Sequence, residues 1–364
     1  MSSLRISLAQ INTTVGDFSG NSALILEMAQ EAASLGADIV AFPELAICGY
    51  PPEDLLLRSS FIEESRIALE KLAVDARELP PLIVGSLDFD RHLYNSASIL
   101  HGGRITADYH KQKLPNYGVF DEQRYFQPGK SVLLCRIRGV DIGINICEDI
   151  WYPDGPISDA ALAGAQLIIN INASPFAKNR SSDRERMIST RAADHTVAIA
   201  YVNQVGGQDE LVFDGNSFIS LADGQIQNHA PSFENFLLTS DIEFEDVLQR
   251  QLHDSRLRQM RSTRGNENSL EIEQVDLALV PFEKPDISNV VTNAAISTEE
   301  EVYRALVTGT RDYLHKTGFE HAFIALSGGI DSALVGAIAV DALGPTNVTG
   351  VSMPSRYSSD GSVT

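Results

Sequence analysis

The 364-residue sequence predicts an α/β fold in which a layered domain of strands and helices is followed by part of a second domain. Two observations lead to this prediction. In the first part of the chain, short β-branched apolar runs alternate with segments whose apolar residues recur at helical spacing. After a polar stretch, a helix-start signal and a Ser-Gly-Gly loop open another strand-and-helix pattern. We therefore predict a first domain at 1–253, a linker at 254–297 and part of a second domain at 298–364.

The elements of the first domain follow one another in a regular order. Residues 4–10 alternate like a strand, and the next segment has apolar residues at helical spacing: Ile25, Met28, Ala29 and Ala32. The runs DIVAFPEL and PPLIVGSL predict strands, and NSASILHGGRITADYHK predicts two strands joined by a Gly-Gly hairpin. Further strands are predicted at VDIGINI, QLIININA, VAIAYVNQV and NSFISL, with helices around ISDAALAGA and ERMISTRAADH. Such mixing indicates an α/β layered domain rather than a bundle or a β-sandwich.

The texture of the sequence changes near Asp254. The stretch DSRLRQMRSTRGNENSLEIEQ is polar and charged, and VPFEKPDISNVVTNAA has no clear period, so both are interpreted as linker. STEEEVYRAL then offers Thr298 as a helix N-cap with Glu301 three residues later, which is a capping-box pattern. The second domain is predicted to begin there.

Charge and cysteine content limit the possible partners and the compartment. Lys and Arg number 28 against 49 Asp and Glu, a net charge of -21, which argues against binding nucleic acid or an anionic membrane. No run approaches the ~18 apolar residues that a membrane span needs. Cys48, Cys135 and Cys147 form no disulfide framework, and the N-terminal stretch lacks the regions of a signal peptide. We therefore expect a cytoplasmic protein.

The stretch VDIGINICEDIW ends a buried strand in a cysteine, Cys147, followed at once by Glu148 and Asp149. A sharp exit from a strand can present a nucleophile, because packing fixes the backbone while the side chain points into a pocket. The thiolate is the reactive form, so a nearby base or cation is needed. The alternative is that Cys147 simply packs in the core, as most buried cysteines do.

Two further polar residues follow predicted strands. Glu44 ends the apolar run IVAFPEL, and Lys111 follows the second strand of the Gly-Gly hairpin. Side chains at strand ends can meet at one rim of a sheet. Glu44 could take the proton of the thiol, while Lys111 stabilises the thiolate and the tetrahedral oxyanion that develops. The alternative for Glu44 is a solvated loop acid.

The segments PEL, HKQKL and NICEDIW resemble, in order, the three motifs of the nitrilase superfamily of carbon–nitrogen hydrolases. The resemblance implies a nitrilase-like α-β-β-α sandwich with Glu44 as general base, Lys111 as oxyanion partner and Cys147 as nucleophile. Lys111 fits the K-x-x-L-P spacing of the family, so Lys113 is expected to be secondary.

The same resemblance extends to residues beside the triad. Glu122 in FDEQRYFQPG resembles a fourth acid that many of these hydrolases place there, although a surface loop acid is the alternative. Tyr117, Ser174 and Arg180 resemble the residues with which the glutamine-using branch holds its substrate. An arginine suits an α-carboxylate because its planar guanidinium can bind both oxygens.

The second informative stretch is FIALSGGIDSALVGAIAVDAL. Glycines allow close approach of the backbone to an anion, and a helix N-terminus offers free amides. The S-G-G-x-D-S motif resembles the pyrophosphatase loop of ATP enzymes on a Rossmann-like parallel sheet of the adenine-nucleotide α-hydrolase type. It implies that ATP is bound by the following residues: Ser327, Gly328, Gly329, Asp331 and Ser332. Asp331 is also the expected ligand of Mg²⁺.

Together the two motif sets, with VSMPSRYSSDGS near the end, resemble the family of glutamine-dependent NAD+ synthetases. This implies glutamine, ATP and deamido-NAD+ as substrates. The resemblance to nitrilase-type sandwiches, which usually associate, implies a homo-oligomer as the default assembly. Because a synthetase domain has ~200 residues, we expect the chain to be a fragment. One alternative is a stand-alone nitrilase-type amidase with an inactive ATP segment. Another is a non-catalytic scaffold on the same fold, against which the intact Glu44, Lys111 and Cys147 argue.

Overall fold

The computed structural model describes residues 3–267, 271–279, 284–287 and 296–353. Its strands are β1 (Ser3–Gln10), β2 (Ile39–Ala41), β3 (Leu82–Phe89), β4 (Leu93–His101), β5 (Arg104–His110), β6 (Val132–Ile137), β7 (Val140–Ile146), β8 (Leu167–Asn172), β9 (Ala198–Asn203), β10 (Val205–Gln208), β11 (Leu211–Asp214), β12 (Phe218–Ser220), β13 (Ile226–His229), β14 (Phe236–Glu243), β15 (Ile272–Leu277), β16 (Ala322–Leu326) and β17 (Val348–Ser352). Its α-helices are α1 (Phe18–Ser34), α2 (Ser59–Asp75), α3 (Pro156–Ala163), α4 (Arg180–His195), α5 (Glu245–His253), α6 (Ser255–Glu267), α7 (Thr298–Lys316) and α8 (Ile330–Leu343). Within these residues, every helix is too short or too polar to cross a bilayer.

Two large sheets form the centre of the chain. The first has six strands in the order β14-β1-β2-β3-β4-β5, and the second has seven in the order β13-β12-β9-β8-β7-β6-β15. In the first sheet, β1 pairs in parallel with β2 and antiparallel with β14. In the second sheet, β7, β8 and β9 run in parallel, so their carboxyl ends lie at one edge.

The buried residues divide into layers. Alternate residues of β1, such as Leu4 and Ile6, join Ile144 of β7 in a core between the two sheets. The outer face of the first sheet packs on α1 and α2, and that of the second sheet packs on α3 and α4. Side chains in a strand point alternately to its two faces, so both faces of each sheet are apolar and need a covering layer. The predicted α-β-β-α sandwich is confirmed.

The segment predicted as a linker contains regular structure. Helix α6 occupies its start, and β15 pairs in parallel with β6, from Ile272 opposite Val132 to Leu277 opposite Ile137. A linker interpretation is therefore wrong for these residues, which complete the edge of the second sheet. Much of the stretch VPFEKPDISNVVTNAA lies outside the described residues, and the domain boundaries stay predictions.

The second region begins one residue earlier than its predicted cap. Ser297, rather than Thr298, is the N-cap of α7, because the Ser297 hydroxyl accepts a hydrogen bond from the Glu300 amide at 3.2 Å. Strand β16 runs parallel to β17, and α8 connects them as a crossover. This is the strand–helix–strand unit that the Rossmann-like prediction requires.

Helix α7 is anchored to the first region by polar contacts. The Asp312 carboxylate accepts hydrogen bonds from the Asn12 side chain and the Gly207 amide, both at 2.7 Å. The Lys316 ammonium donates to the Asn12 side-chain oxygen at 2.7 Å and to the Gly207 carbonyl at 2.8 Å. The second region therefore rests on the residues that follow β1 and on β10, which pairs with β11 in a separate two-stranded sheet.

Candidate active site

Glu44, Lys111 and Cys147 follow the strands β2, β5 and β7, so they come from the carboxyl ends of strands in both sheets. Cys147 has a φ of 44°, in the left-handed region that a residue with a side chain rarely adopts. It opens a short 3-10 turn, Cys147–Ile150, directly after the last residue of β7. The thiol is thus carried on a sharp, strained exit from a buried strand, a backbone state that clusters at functional sites.

Lys111 lies between two carboxylates. Its Nζ is 2.6 Å from Oε1 of Glu44 and 2.8 Å from Oε1 of Glu122, and all three side chains are buried. Burial by itself would lower the pKa of Lys111, but the charges of Glu122 and Glu44 outweigh it and raise that pKa well above the ordinary value. The ammonium is therefore charged at every physiological pH and supplies a fixed positive charge in a dry site.

Glu122 is the second of two buried carboxylates that share the single ammonium of Lys111. Burial raises its pKa to about 7 against the pull of Lys111, and the Glu44 charge adds to the rise. The Tyr50 hydroxyl donates to Glu122 Oε1 at 3.3 Å, whereas Oε2 is buried without a hydrogen-bond partner. A carboxylic acid whose pKa is near 7 and which lies beside a lysine is suited to proton transfer.

Glu44 is oriented by three donors. Oε1 accepts from Lys111 and from the Asn95 side chain at 2.7 Å, and Oε2 accepts from the Ala173 amide at 3.0 Å. Burial of the Cys147 thiol, together with the Glu44 charge, raises its pKa well above that of a free cysteine, although Lys111 acts in the opposite direction. The resting thiol is protonated, and it needs a base to become a nucleophile.

A second group of residues surrounds Glu148. The Tyr117 hydroxyl donates to Glu148 Oε2 at 2.9 Å, and the positive charge of Arg180 acts on both of these groups. The Arg180 guanidinium stacks 4.6 Å from the centre of the Trp151 ring. A carboxylate and a guanidinium near enough for their charges to interact can receive the amino and carboxyl groups of an amino acid.

Ser174 follows the residue that contacts Glu44. Its amide donates to Asn203 Oδ1 at 2.8 Å, and its carbonyl accepts from the Arg184 side chain at 3.3 Å. Arg184 is itself buried and paired with Asp214. The loop between β8 and α4 is therefore held by hydrogen bonds to Asn203 and Arg184, which set the position of Ser174.

Several neighbours were not predicted. Tyr50, Asn95 and Arg184 all bond to the residues or segments named above. Asn95 and Glu44 are separated by 51 positions in the sequence, so their contact leaves no local pattern. Lys113 lies apart from the Glu44–Glu122 pair, with its Nζ 5.2 Å from the centre of the Tyr152 ring.

The predicted nucleotide loop lies between β16 and α8. Gly328 has a φ of 78°, which glycine adopts readily, and the Ser332 hydroxyl lies 3.2 Å from both the amide and the hydroxyl of Ser327. Gly329 is the N-cap of α8 and Asp331 lies in its first turn. These residues lie together at the N-terminus of a helix that follows a parallel strand. The segment VSMPSRYSSDGS lies outside the described residues from position 354 onwards.

The titration of Glu122 predicts a pH dependence of stability. Folding raises its pKa from an ordinary 4.5 to about 7, so the folded state holds a proton that the unfolded chain releases between these values. The free energy of unfolding should therefore fall as pH rises through this window, by up to about 1.4 kcal/mol per pH unit. Glu122→Gln cannot titrate and should lose the part of the slope that Glu122 contributes, while the buried Asp149, whose pKa is raised to about 6, still contributes its own part. Urea unfolding of the wild type and of Glu122→Gln between pH 4.5 and 8 measures the free energy of unfolding. The same dependence on pH in both proteins would contradict the prediction.

Two packed sheets between helical layers, with Cys147, Glu44 and Lys111 at their rim, define a nitrilase-type sandwich protein. The carbon-nitrogen hydrolase model matches residues 5–250, and the chain belongs to that family. The NAD synthase model matches residues 302–364.

Relatives share both regions. The chain is 44% identical over 365 residues to the glutamine-dependent NAD(+) synthetase of Thermotoga maritima, covering 100% of this chain and 62% of that protein. It is 42% identical to the glutamine-dependent NAD(+) synthetase of Aquifex aeolicus, covering 98% of this chain and 62% of that protein. The resemblance predicted from the motifs is thus confirmed. The chain spans about three fifths of the length of these relatives.

Solved structures agree with this placement. The glutamine-dependent NAD+ synthetase of Acinetobacter baumannii, in complex with ADP, superposes with a TM-score of 0.82 at 34% identity, covering 100% of this chain and 61% of that one. An amidase of the nitrilase superfamily from Nesterenkonia, solved as a cysteine-to-alanine mutant, gives 0.60 at 27% identity, covering 71% of this chain and 96% of that one. The first region therefore shares the fold of a nitrilase-type amidase.

Proposed function

We propose that the first region hydrolyses the side-chain amide of glutamine through a thioester on Cys147. The observation that supports this most is the buried Lys111 held between Glu44 and Glu122, beside a thiol on a strained turn. Glu44 takes the thiol proton as sulfur attacks the amide carbon, and Lys111 stabilises the oxyanion. Glu44 then gives that proton to the nitrogen, and ammonia leaves. Water, deprotonated by Glu44, cleaves the γ-glutamyl thioester to glutamate and restores the thiol.

Alkylation offers a test that does not depend on turnover. A glutamate-to-glutamine mutant of the Nesterenkonia amidase, 27% identical to this chain, carries the acetamide moiety of fluoroacetamide on its active-site cysteine. We expect fluoroacetamide to label Cys147 in this chain and to leave Cys48 and Cys135 unmodified. All three thiols are buried, but within the described residues Cys147 is the one on which Glu44 and Lys111 act. Peptide mass spectrometry locates the label. Labelling of Cys48 or Cys135 before Cys147 would contradict the assignment of the nucleophile.

We propose that Arg180 and Glu148 recognise the α-carboxylate and the α-amino group of glutamine, with Tyr117 and Ser174 lining the same opening. Arg180→Ala should raise KM for glutamine about 10- to 100-fold, since a hydrogen bond to a charged group contributes about 1.5–3 kcal/mol. It should leave kcat/KM for propionamide, which has neither group, unchanged.

The matched control for this prediction is Arg186→Ala. Arg186 lies on the same helix, α4, but is exposed and pairs only with Asp183 at 3.3 Å among the described contacts. Steady-state kinetics with glutamine and propionamide should leave this control at wild-type values. An unchanged KM for glutamine in Arg180→Ala would remove the carboxylate assignment.

We propose further that the ammonia is used by an ATP-dependent domain to convert deamido-NAD+ into NAD+. Support comes from the Ser327–Ser332 loop at the start of α8 and from the relatives named above. The amides of Gly328 and Gly329 and the two serine hydroxyls suit the ATP phosphates, and the Asp331 carboxylate suits Mg²⁺. ATP would activate the carboxylate by adenylation, with pyrophosphate and then AMP released.

Chelation separates the two half-reactions. In an assay with glutamine, ATP and deamido-NAD+, we expect EDTA to abolish NAD+ formation while glutamate release continues, because the thiol mechanism needs no metal. The formation of NAD+ and glutamate is measured by chromatography. Glutamate release without NAD+ even in excess Mg²⁺ would favour the stand-alone amidase. Loss of both activities on chelation would contradict the metal-free mechanism.

We also propose a cytoplasmic location and a homo-oligomer. The first is supported by three free cysteines and the second by the resemblance to nitrilase-type proteins. Light scattering after size exclusion measures the molecular mass of the assembly, and a monomer at micromolar concentration would contradict the oligomer.

A further inference from the structure

Asp149 is a fully buried carboxylate with four hydrogen-bond donors around it. Oδ1 accepts from the backbone amides of Gln112 at 3.0 Å and Lys113 at 2.8 Å. Oδ2 accepts from the Tyr109 hydroxyl at 2.8 Å and from the Ile146 amide at 3.1 Å. The side chain therefore uses both oxygens, and every one of these bonds reaches a residue close to the triad in the chain.

The four donors belong to two segments that no strand pairing joins. Tyr109, Gln112 and Lys113 flank Lys111 at the end of β5, in the first sheet. Ile146 precedes Cys147 at the end of β7, in the second sheet. Two sheets that meet largely through apolar side chains can shift relative to one another at little cost, whereas hydrogen bonds are directional. The bonds of Asp149 add to the one from the Ala173 amide to Glu44, which also joins the ends of strands from both sheets.

We propose that Asp149 is a positioning residue, which ties the backbone around Lys111 to the strand exit that carries Cys147 and so fixes the ammonium relative to the thiol. This inference rests on the proposed thiol mechanism. A displacement of about 1 Å between reacting groups can cost about 10²-fold in rate. The adjacent Glu148, by contrast, accepts a hydrogen bond from the Tyr117 hydroxyl and makes none of these four bonds.

A carboxylate is required here because all four neighbours are donors. Asparagine has the same size and shape, but its NH₂ group would face an N–H or O–H and leave donors unsatisfied in a buried place. Burial raises the pKa of Asp149 to about 6, while the Lys113 and Ile146 amides and the Tyr109 hydroxyl favour its charged form. The carboxylate is therefore ionised at neutral pH, as an acceptor of four bonds must be.

The test is Asp149→Asn, compared with wild type in glutamine kinetics. We expect kcat to fall about 10²-fold with KM changed less than about twofold, because the substrate-holding residues are not tied to this carboxylate. The alkylation of Cys147 by iodoacetamide at pH 7 should slow at least about tenfold in parallel. Asp141→Asn is the matched control: Asp141 is also a carboxylate of the β7 segment, but it pairs with Arg136 at 2.7 Å at the far end of the strand. It should keep wild-type values.

Several outcomes would overturn the inference. One is a folded Asp149→Asn, judged by circular dichroism, with wild-type kcat and wild-type alkylation. Another is a raised KM with unchanged kcat, which would place Asp149 in substrate binding. If the variant does not fold, Tyr109→Phe removes one donor only; we expect about a threefold loss of kcat and of alkylation rate, and wild-type values would overturn the proposal.

The two readouts also separate this inference from the proposed function. If the wild type releases no glutamate but its Cys147 alkylates rapidly, and Asp149→Asn slows that alkylation, the positioning role holds while the glutamine assignment fails. If glutamate release is present and depends on Cys147, but Asp149→Asn matches the wild type in both readouts, only the positioning role fails.

Discussion

Cys147→Ala is expected to abolish glutamate release from glutamine, with a loss of at least about 10⁴-fold in kcat. The thiol forms the covalent bond to the substrate, and alanine offers no atom that can replace it. The variant should fold normally, because the side chain it removes is small and the φ of 44° at this position is as accessible to alanine as to cysteine. Release of glutamate is measured with a coupled glutamate dehydrogenase assay.

The control for this variant is Cys135→Ala. Cys135 is another buried free thiol, on β6, and it lies in the core between the sheets rather than at their rim. It should keep glutamate release within about threefold of wild type, the residual change reflecting a small cavity. Equal activity in Cys147→Ala and wild type would remove the thiol mechanism altogether.

Lys111→Met is expected to cost both activity and stability. The ammonium stabilises the oxyanion, so kcat should fall by at least about 10³-fold. Its removal leaves the buried carboxylates of Glu44 and Glu122 without a counter-charge, and breaking a buried pair in this way costs about 3–5 kcal/mol. The loss of stability should be larger at pH 8 than at pH 5, where the carboxylates can take up protons. Urea unfolding at both pH values measures it.

Lys113→Met separates the two lysines of the HKQKL segment. The Lys113 ammonium contacts the Tyr152 ring and not the two carboxylates, so its loss should cost less than about 1 kcal/mol and leave kcat near the wild-type value. A fall in kcat in Lys113→Met equal to that in Lys111→Met would contradict the assignment of Lys111 as the oxyanion partner.

The strands of the sandwich could be predicted because their patterns are local. Both faces of the two sheets are covered, and β7 (VDIGINI) and β8 (LIININ) appear as short runs rich in isoleucine that polar residues interrupt at single positions. Helix α2 lies outside the predicted elements, although Phe61, Ser65 and Leu69 recur at helical spacing on its buried face. Strand β15 was not predicted because it is an edge strand whose residues are mostly exposed, which removes the apolar alternation.

The candidate site divides in the same way. Glu44, Lys111 and Cys147 could be proposed as a site because each stands in a short motif directly after a predicted strand. Their partners Asn95 and Tyr50 could not, since these two act through contacts between distant segments. The cap of α7 shows the limit of local patterns: Ser297 and Thr298 both carry hydroxyls, and only the extended backbone of Ser297, with a φ of -67° and a ψ of 157°, makes it the cap.

Trapping the acyl-enzyme tests the central claim most directly. The protein is mixed with glutamine, quenched in acid within milliseconds, digested at low pH and examined by mass spectrometry. We predict a γ-glutamyl thioester on the peptide that contains Cys147, and none on the peptides of Cys48 or Cys135. Glutamate release at a normal rate with no acyl group on Cys147 at any quench time, under conditions where a synthetic thioester standard survives, would contradict the account.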